Sequence, residues 1–251
     1  MDLDSFYPDP TDLLKAEVGA LRYVSGHPYI VRDHSDFARD ADRYYRKFRS
    51  LTSGFYFASH LDLWHPEMGR RGATSTRQGR RRANVRLMLA ATIEVTGTGG
   101  YGNVSYCLCV CRLLTKGRLV ILRKFHFDIT PGSEEAQRRQ KHPRSHMQYC
   151  GKMVPYMRTM GCREAQLDKM YPWLSEPRIL FWPMSLALLM DMALREFPDE
   201  RSIGFRESGE WKNVIREHEA LVLQRFCKKC VDLIDGVHGN RLTLSDAFYV
   251  N

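Results

Sequence analysis

The sequence predicts an α+β fold, in which a central antiparallel β-meander of about four strands is flanked by N-terminal and C-terminal helices. Three observations predict it. Apolar residues recur at steps of three and four near both ends of the chain, they alternate between residues 85 and 150, and turn formers separate the alternating runs.

The segment from Pro10 to Val24 places Leu14, Val18 and Leu21 on one helical face, with Asp9 or Thr11 able to cap its start. A second helix is expected after Ser35, because Phe37, Ala41, Tyr44, Phe48 and Leu51 form one stripe. On this reading the first third of the chain is helical. Residues 69–82, GRRGATSTRQGRRR, contain no acid and no apolar residue except Ala73, which reads as a flexible arm. The period then changes to two in Val85–Val95, Val104–Leu114, Arg118–Ile129 and Ser145–Cys150. The connections TGTGGYG and TKG suit hairpins. Ser185 caps a helix carrying Leu186, Leu189, Met190, Ala193, Leu194 and Phe197, and Pro198 stops it. A last long helix starts near Ser208, carries Trp211, Ile215, Val222 and Phe226, and ends at Gly236. No repeat is visible, and residues 1–251 read as a single domain with an arginine-rich arm.

A chain of 251 residues can bury a sizeable core, and 43% hydrophobic with 27% charged residues excludes a disordered composition. The formal charge of +9 favours anionic partners. Seven cysteines, three of them at Cys107, Cys109 and Cys111, together with an N-terminus unlike a signal peptide, point to a reducing cytoplasmic setting. Ile179–Leu194 contains Pro183 and Asp191 and falls short of the roughly 20 residues a membrane helix needs, so no membrane span is expected.

The most informative stretch is RKFHFDI followed by HPRSHMQYCG. Alternation puts Lys124, His126 and Asp128 on one face of the first strand, expected to be wet, and Phe125, Phe127 and Ile129 on the other. In the second strand Arg144, His146, Gln148 and Cys150 share a face. If the two strands pair as a hairpin, His126, Asp128, His146 and Gln148 converge. Two imidazoles facing a phosphodiester can serve as general base and general acid, with Asp128 orienting one ring and Arg144 or Lys124 neutralising charge. A hydrogen-bonded ladder on a half-exposed sheet, or a divalent metal held by the two His and the Asp, are the other readings of these residues.

The order FHFD, a polar insertion, HPRSHMQ and then EPRILFWPMSLALLMDMALREF resembles an uncharacterised bacterial family, a domain of unknown function with a His-Pro-x-x-His segment. The resemblance spans about residues 125–197 and matches Asp128, His142, His146 and Arg178; the family has a second His where this chain has Gln148. It brings no established activity, but such genes look like those of prokaryotic antiviral defence and toxin systems.

Arg70, Arg71, Arg77, Arg80, Arg81, Arg82 and Arg86 lie together with no acid among them, and Arg138, Arg139, Lys141 and Arg144 lead to His146. Such arginines bind phosphate oxygens in pairs and independently of base sequence, so these are the expected nucleic-acid contacts. Other signals lead elsewhere. Cys227 and Cys230 form a C-x-x-C pair inside a predicted helix, with no second pair at zinc spacing. The thiols at 107, 109 and 111 and the imidazole of His218 read as core groups. The glycines of TGTGGYG lack the Lys-Ser/Thr of a P-loop, and no G-x-S-x-G elbow is present. No metal or cofactor is assigned.

The leading expectation is a nucleic-acid-binding subunit, with RNA favoured over DNA. A metal-independent ribonuclease using the His pair is the second reading. The third is a protein-interaction partner whose apolar helix Met184–Phe197 docks on a larger subunit.

Overall fold

Asp9 opens the first helix: its side chain accepts a hydrogen bond from the Thr11 amide at 2.8 Å, and α1 runs over Pro10–Ser25. Leu14, Val18 and Leu21 are all buried, as the stripe requires. The structure is a computed structural model and describes residues 7–27, 30, 55–63, 85–96, 100–113, 119–129, 145–149, 163–164, 178–198 and 200–237. The helix expected over 37–51, the arm at 69–82 and the connection carrying Arg138, Arg139, Lys141, His142 and Arg144 lie outside the described residues.

Among the described residues seven strands form one sheet: β1 Phe55–Leu63, β2 Val85–Val95, β3 Tyr101–Leu113, β4 Leu119–Ile129, β5 Ser145–Tyr149, β6 Arg163–Glu164 and β7 Arg178–Leu180. Their order is β1-β2-β3-β4-β5-β7, every neighbour antiparallel, with β6 pairing parallel to β4. The expected meander is β2 to β5, and the architecture is α+β. Two corrections apply. The first third is not all helical, because FYFASHLDL forms β1 beside β2; its Phe55, Phe57, Leu61 and Leu63 alternate at a period of two. The short β6 and β7 extend the sheet beyond the four predicted strands.

Ser185 caps α2, Leu186–Glu196, by accepting from the Leu188 amide. It is followed by α3 Glu200–Glu207, which the periodicity had not marked, and α4 Gly209–His218. The predicted last helix continues through a π-helical turn at Glu219–Gln224 into α5, Arg225–Val237. One face of the sheet builds the core. Leu87, Leu89, Ala91 and Ile93 of β2, Val104, Tyr106 and Leu108 of β3, and Phe127 and Ile129 of β4 join Leu13, Leu21, Leu189, Ala193, Trp211 and Ile215 of the helices in one buried cluster. Leu89 is fully buried there, so Leu89→Ala is expected to lower stability by about 2–5 kcal/mol, read from the urea midpoint. A loss under about 1 kcal/mol would place Leu89 outside a close-packed core.

The helix expected to dock on a larger subunit is itself inside this core: Leu186, Leu189, Met190 and Ala193 are each at most 2% exposed. Its apolar side is committed within the chain, which removes that helix as a docking surface. Among the described residues no helix is long and apolar enough to cross a membrane.

Candidate active site on the polar face of the sheet

The opposite face of the sheet carries the polar residues, and strand pairing fixes which of them meet. On β4 and β5, His126 stands opposite Gln148 and Asp128 opposite His146. On the other side of β4, Ser105 stands opposite Asp128, Cys107 opposite His126 and Cys109 opposite Lys124. From β2 to β7 one cross-strand row therefore reads Thr92, Ser105, Asp128, His146, Leu180, and the next reads Ala90, Cys107, His126, Gln148, Arg178. Directly opposed residues on antiparallel strands share a face. The four residues expected to converge, His126, Asp128, His146 and Gln148, occupy one face of two paired strands, and Arg178 joins them by register.

His126 is held on both sides. Its Nδ1 lies 3.1 Å from Asp128 Oδ2 and its Nε2 lies 2.6 Å from Ser105 Oγ. Nothing in the residue pattern singles out Ser105. A β-bulge places it: counting back from the Leu113↔Leu119 pair without interruption would set Ser105 opposite Phe127, whereas the register shift between Val110 and Cys111 sets it opposite Asp128. The bulge also turns Ile121, buried, onto the face of Lys124, with Leu122 and Arg123 exposed between them.

This face is not wet, contrary to expectation. Lys124 is 2% exposed, and Cys107, Cys109 and Cys111 are fully buried. Exposure rises along β4 from Lys124, with the side chains of His126 at 12% and Asp128 at 20%. Lys124 is therefore covered, as are Thr92 at 4% and Ser105 at 5% on the same face. The three thiols pack, as expected, but they are not electrostatically inert. Cys107 Sγ and Cys109 Sγ lie 3.3 Å apart. Hydrogen bonds from Cys107 and Cys111, together with the positive charge of Lys124, hold the Cys109 thiol well below the usual range, and the hydrogen bond to Cys109 together with burial pushes Cys107 up.

Of the predicted phosphate contacts only Arg86 lies in a described strand, on β2 opposite Cys111. Cys227 and Cys230 lie on α5, exposed and half-buried. His218 is a core residue, its ring hydrogen-bonded to the Ala16 carbonyl at 3.2 Å. Among the described residues no group of three His, Cys, Asp or Glu is placed to hold a metal ion.

Chemically, the arrangement offers an imidazole with one nitrogen fixed by a carboxylate and the other against a hydroxyl, beside a second imidazole position on the neighbouring strand. No family model, curated protein or solved structure matches the chain.

Proposed function

We propose that this protein binds nucleic acid, RNA in preference to DNA, and cleaves its phosphodiester backbone without a metal on the polar face of β3 to β5. The observation that carries the reading is the register of β4 against β5, which sets His126, Asp128, His146 and Gln148 on one face. His126 is the general base, held in orientation by Asp128. His146 is the general acid for the leaving oxygen. RNA is favoured because its 2′-hydroxyl can supply the nucleophile to a waiting imidazole. The charge of +9 and the arginines at 70, 71, 77, 80, 81, 82 and 86 supply affinity for the backbone. The same arginines and the resemblance of residues 125–197 suit a subunit of a prokaryotic antiviral defence or toxin system, acting in the cytoplasm.

Two measurements test this. Binding to a labelled RNA is expected to weaken steeply as salt rises, and Arg80→Ala, Arg81→Ala and Arg82→Ala together are expected to reduce the logarithmic salt slope by about 2–3. Cleavage of that RNA in EDTA is expected to fall about 10²–10⁴-fold in His126→Ala and in His146→Ala. Binding that ignores salt, or RNA left intact under all conditions, would overturn the reading.

A further inference from the structure

The base in that proposal already holds a hydroxyl. A carboxylate only accepts hydrogen bonds, so in the tautomer that carries its proton on Nδ1 the His126 ring faces Asp128 as a donor across 3.1 Å. That tautomer leaves the lone pair on Nε2, which then accepts from the Ser105 hydroxyl 2.6 Å away. We propose that Ser105 is the nucleophile of this face, activated by His126 and Asp128, and that it acts on phosphodiesters through a covalent seryl ester. The inference rests on the proposed function for its substrate class, a nucleic-acid phosphodiester, and puts Ser105 in place of the 2′-hydroxyl as the nucleophile.

Three features support it. The order carboxylate, imidazole, hydroxyl, with the carboxylate on one ring nitrogen and the hydroxyl on the other, is the arrangement by which unrelated folds activate serine. The parts are rigid: Asp128 and His126 are two residues apart on β4, and the bulge locks Ser105 onto their face from β3. Thr92 adds an independent observation. It stands opposite Ser105 on β2, is 4% exposed, and its Oγ1 has no hydrogen-bond partner among the described residues. A buried hydroxyl without an acceptor, one strand from the nucleophile, is a donor for a phosphoryl oxygen bound at Ser105.

In the first step the Ser105 Oγ proton passes to Nε2, an Oγ–P bond forms, the P–O5′ bond breaks, and the leaving oxygen takes a proton from His146. In the second, water gives a proton to His146, which the first step left neutral, and its oxygen to phosphorus. The P–Oγ bond then breaks, and Ser105 recovers a proton from His126. Protons and electrons balance without a redox partner, and no 2′-hydroxyl is used.

The test has two arms on the full chain. The first follows cleavage of an RNA and of the same RNA with 2′-deoxyribose at every position. Both are expected to be cut, with cleavage falling about a thousandfold or more in Ser105→Ala and about tenfold or more in Thr92→Val. The second is labelling by a fluorophosphonate, in which Oγ displaces fluoride. Mass spectrometry is expected to place the adduct on Ser105, with labelling lost in Ser105→Ala and in His126→Ala. Ser105→Cys, checked for an unchanged melting temperature, guards against a folding defect and is expected to lose the adduct at residue 105 while remaining folded. If only the ribose substrate is cut and Ser105→Ala cuts it as well, the nucleophile assignment falls and the proposed function stands. If Ser105 is labelled in a His126-dependent way and no nucleic acid is cut, the assignment stands and the proposed substrate falls. Absence of both labelling and cleavage overturns both.

Discussion

Asp191→Ala is expected to cost about 3–5 kcal/mol of folding stability, the scale of leaving a buried charge without its partner. Asp191 is 6% exposed and lies on α2. Its Oδ1 accepts from Trp211 Nε1 at 3.0 Å and from Arg206 Nε at 3.2 Å, and its Oδ2 accepts from Arg195 Nε at 2.6 Å. One carboxylate thus joins α2, α3 and α4. Removing it strands the indole N–H of Trp211, which is 1% exposed, and the guanidinium of Arg206, whose side chain is 17% exposed. Arg195 is different, since its side chain is 61% exposed and water can replace the carboxylate. The urea midpoint should fall sharply in Asp191→Ala and by little in Arg195→Ala. Equal, small losses in the two variants would show that the buried junction contributes no more than a surface pair.

The second large effect is a pH dependence that the wild-type chain conceals. Burial pushes the Glu17 carboxyl up from 4.5 to about 7, against hydrogen bonds from the Leu186 amide and the Tyr106 hydroxyl that favour the charged form. Burial also holds the His218 imidazole down from 6.5 to about 4, against its bond to the Ala16 carbonyl. The two signs oppose. Glu17 binds a proton more readily in the folded state, so its stabilisation is complete below pH 4.5 and is lost as pH rises through 7. His218 binds one less readily, so its stabilisation is present above pH 6.5 and is lost as pH falls through 4. Each swing is about 3 kcal/mol at 1.36 kcal/mol per pH unit, and they cancel across the shared window. Glu17→Gln is expected to become more stable as pH rises from 4 to 6.5, while His218→Gln becomes less stable from 4.5 to 7. Unfolding midpoints measured from pH 4 to 8 decide it. Two variants whose profiles run parallel to the wild type would mean that neither group titrates differently on folding.

Much of this fold is legible in the sequence because the core-facing positions keep a strict period. Leu87, Leu89, Ala91, Ile93 and Val95 define β2 to its last residue, and Ser185 with Pro198 brackets α2. What escaped was short or irregular. β7 has three residues, too few for any period, and β1 follows a stripe of helical spacing that drew the whole first third into one reading. The histidine face was legible as four residues on two strands, since alternation alone assigns them. Ser105 was not, because its face depends on a bulge, and a one-residue shift in pairing is invisible to hydrophobic pattern. The depth of Lys124 was equally hidden: alternation says which side of a strand a residue takes, not whether that side is covered.

The attachments of the first helix carry a consequence for how the chain is made. The Ala16 carbonyl bonds to His218, 202 positions downstream, and Glu17 to Leu186, 169 positions downstream. A ribosome releasing the protein from its amino end sets Pro10–Ser25 free long before either partner has been synthesised. Until then only the earlier strands are there to meet it, through the Tyr106 hydroxyl at Glu17 and the core residues of β2 to β4. Docking of this helix is therefore completed only after the carboxy-terminal helices have emerged.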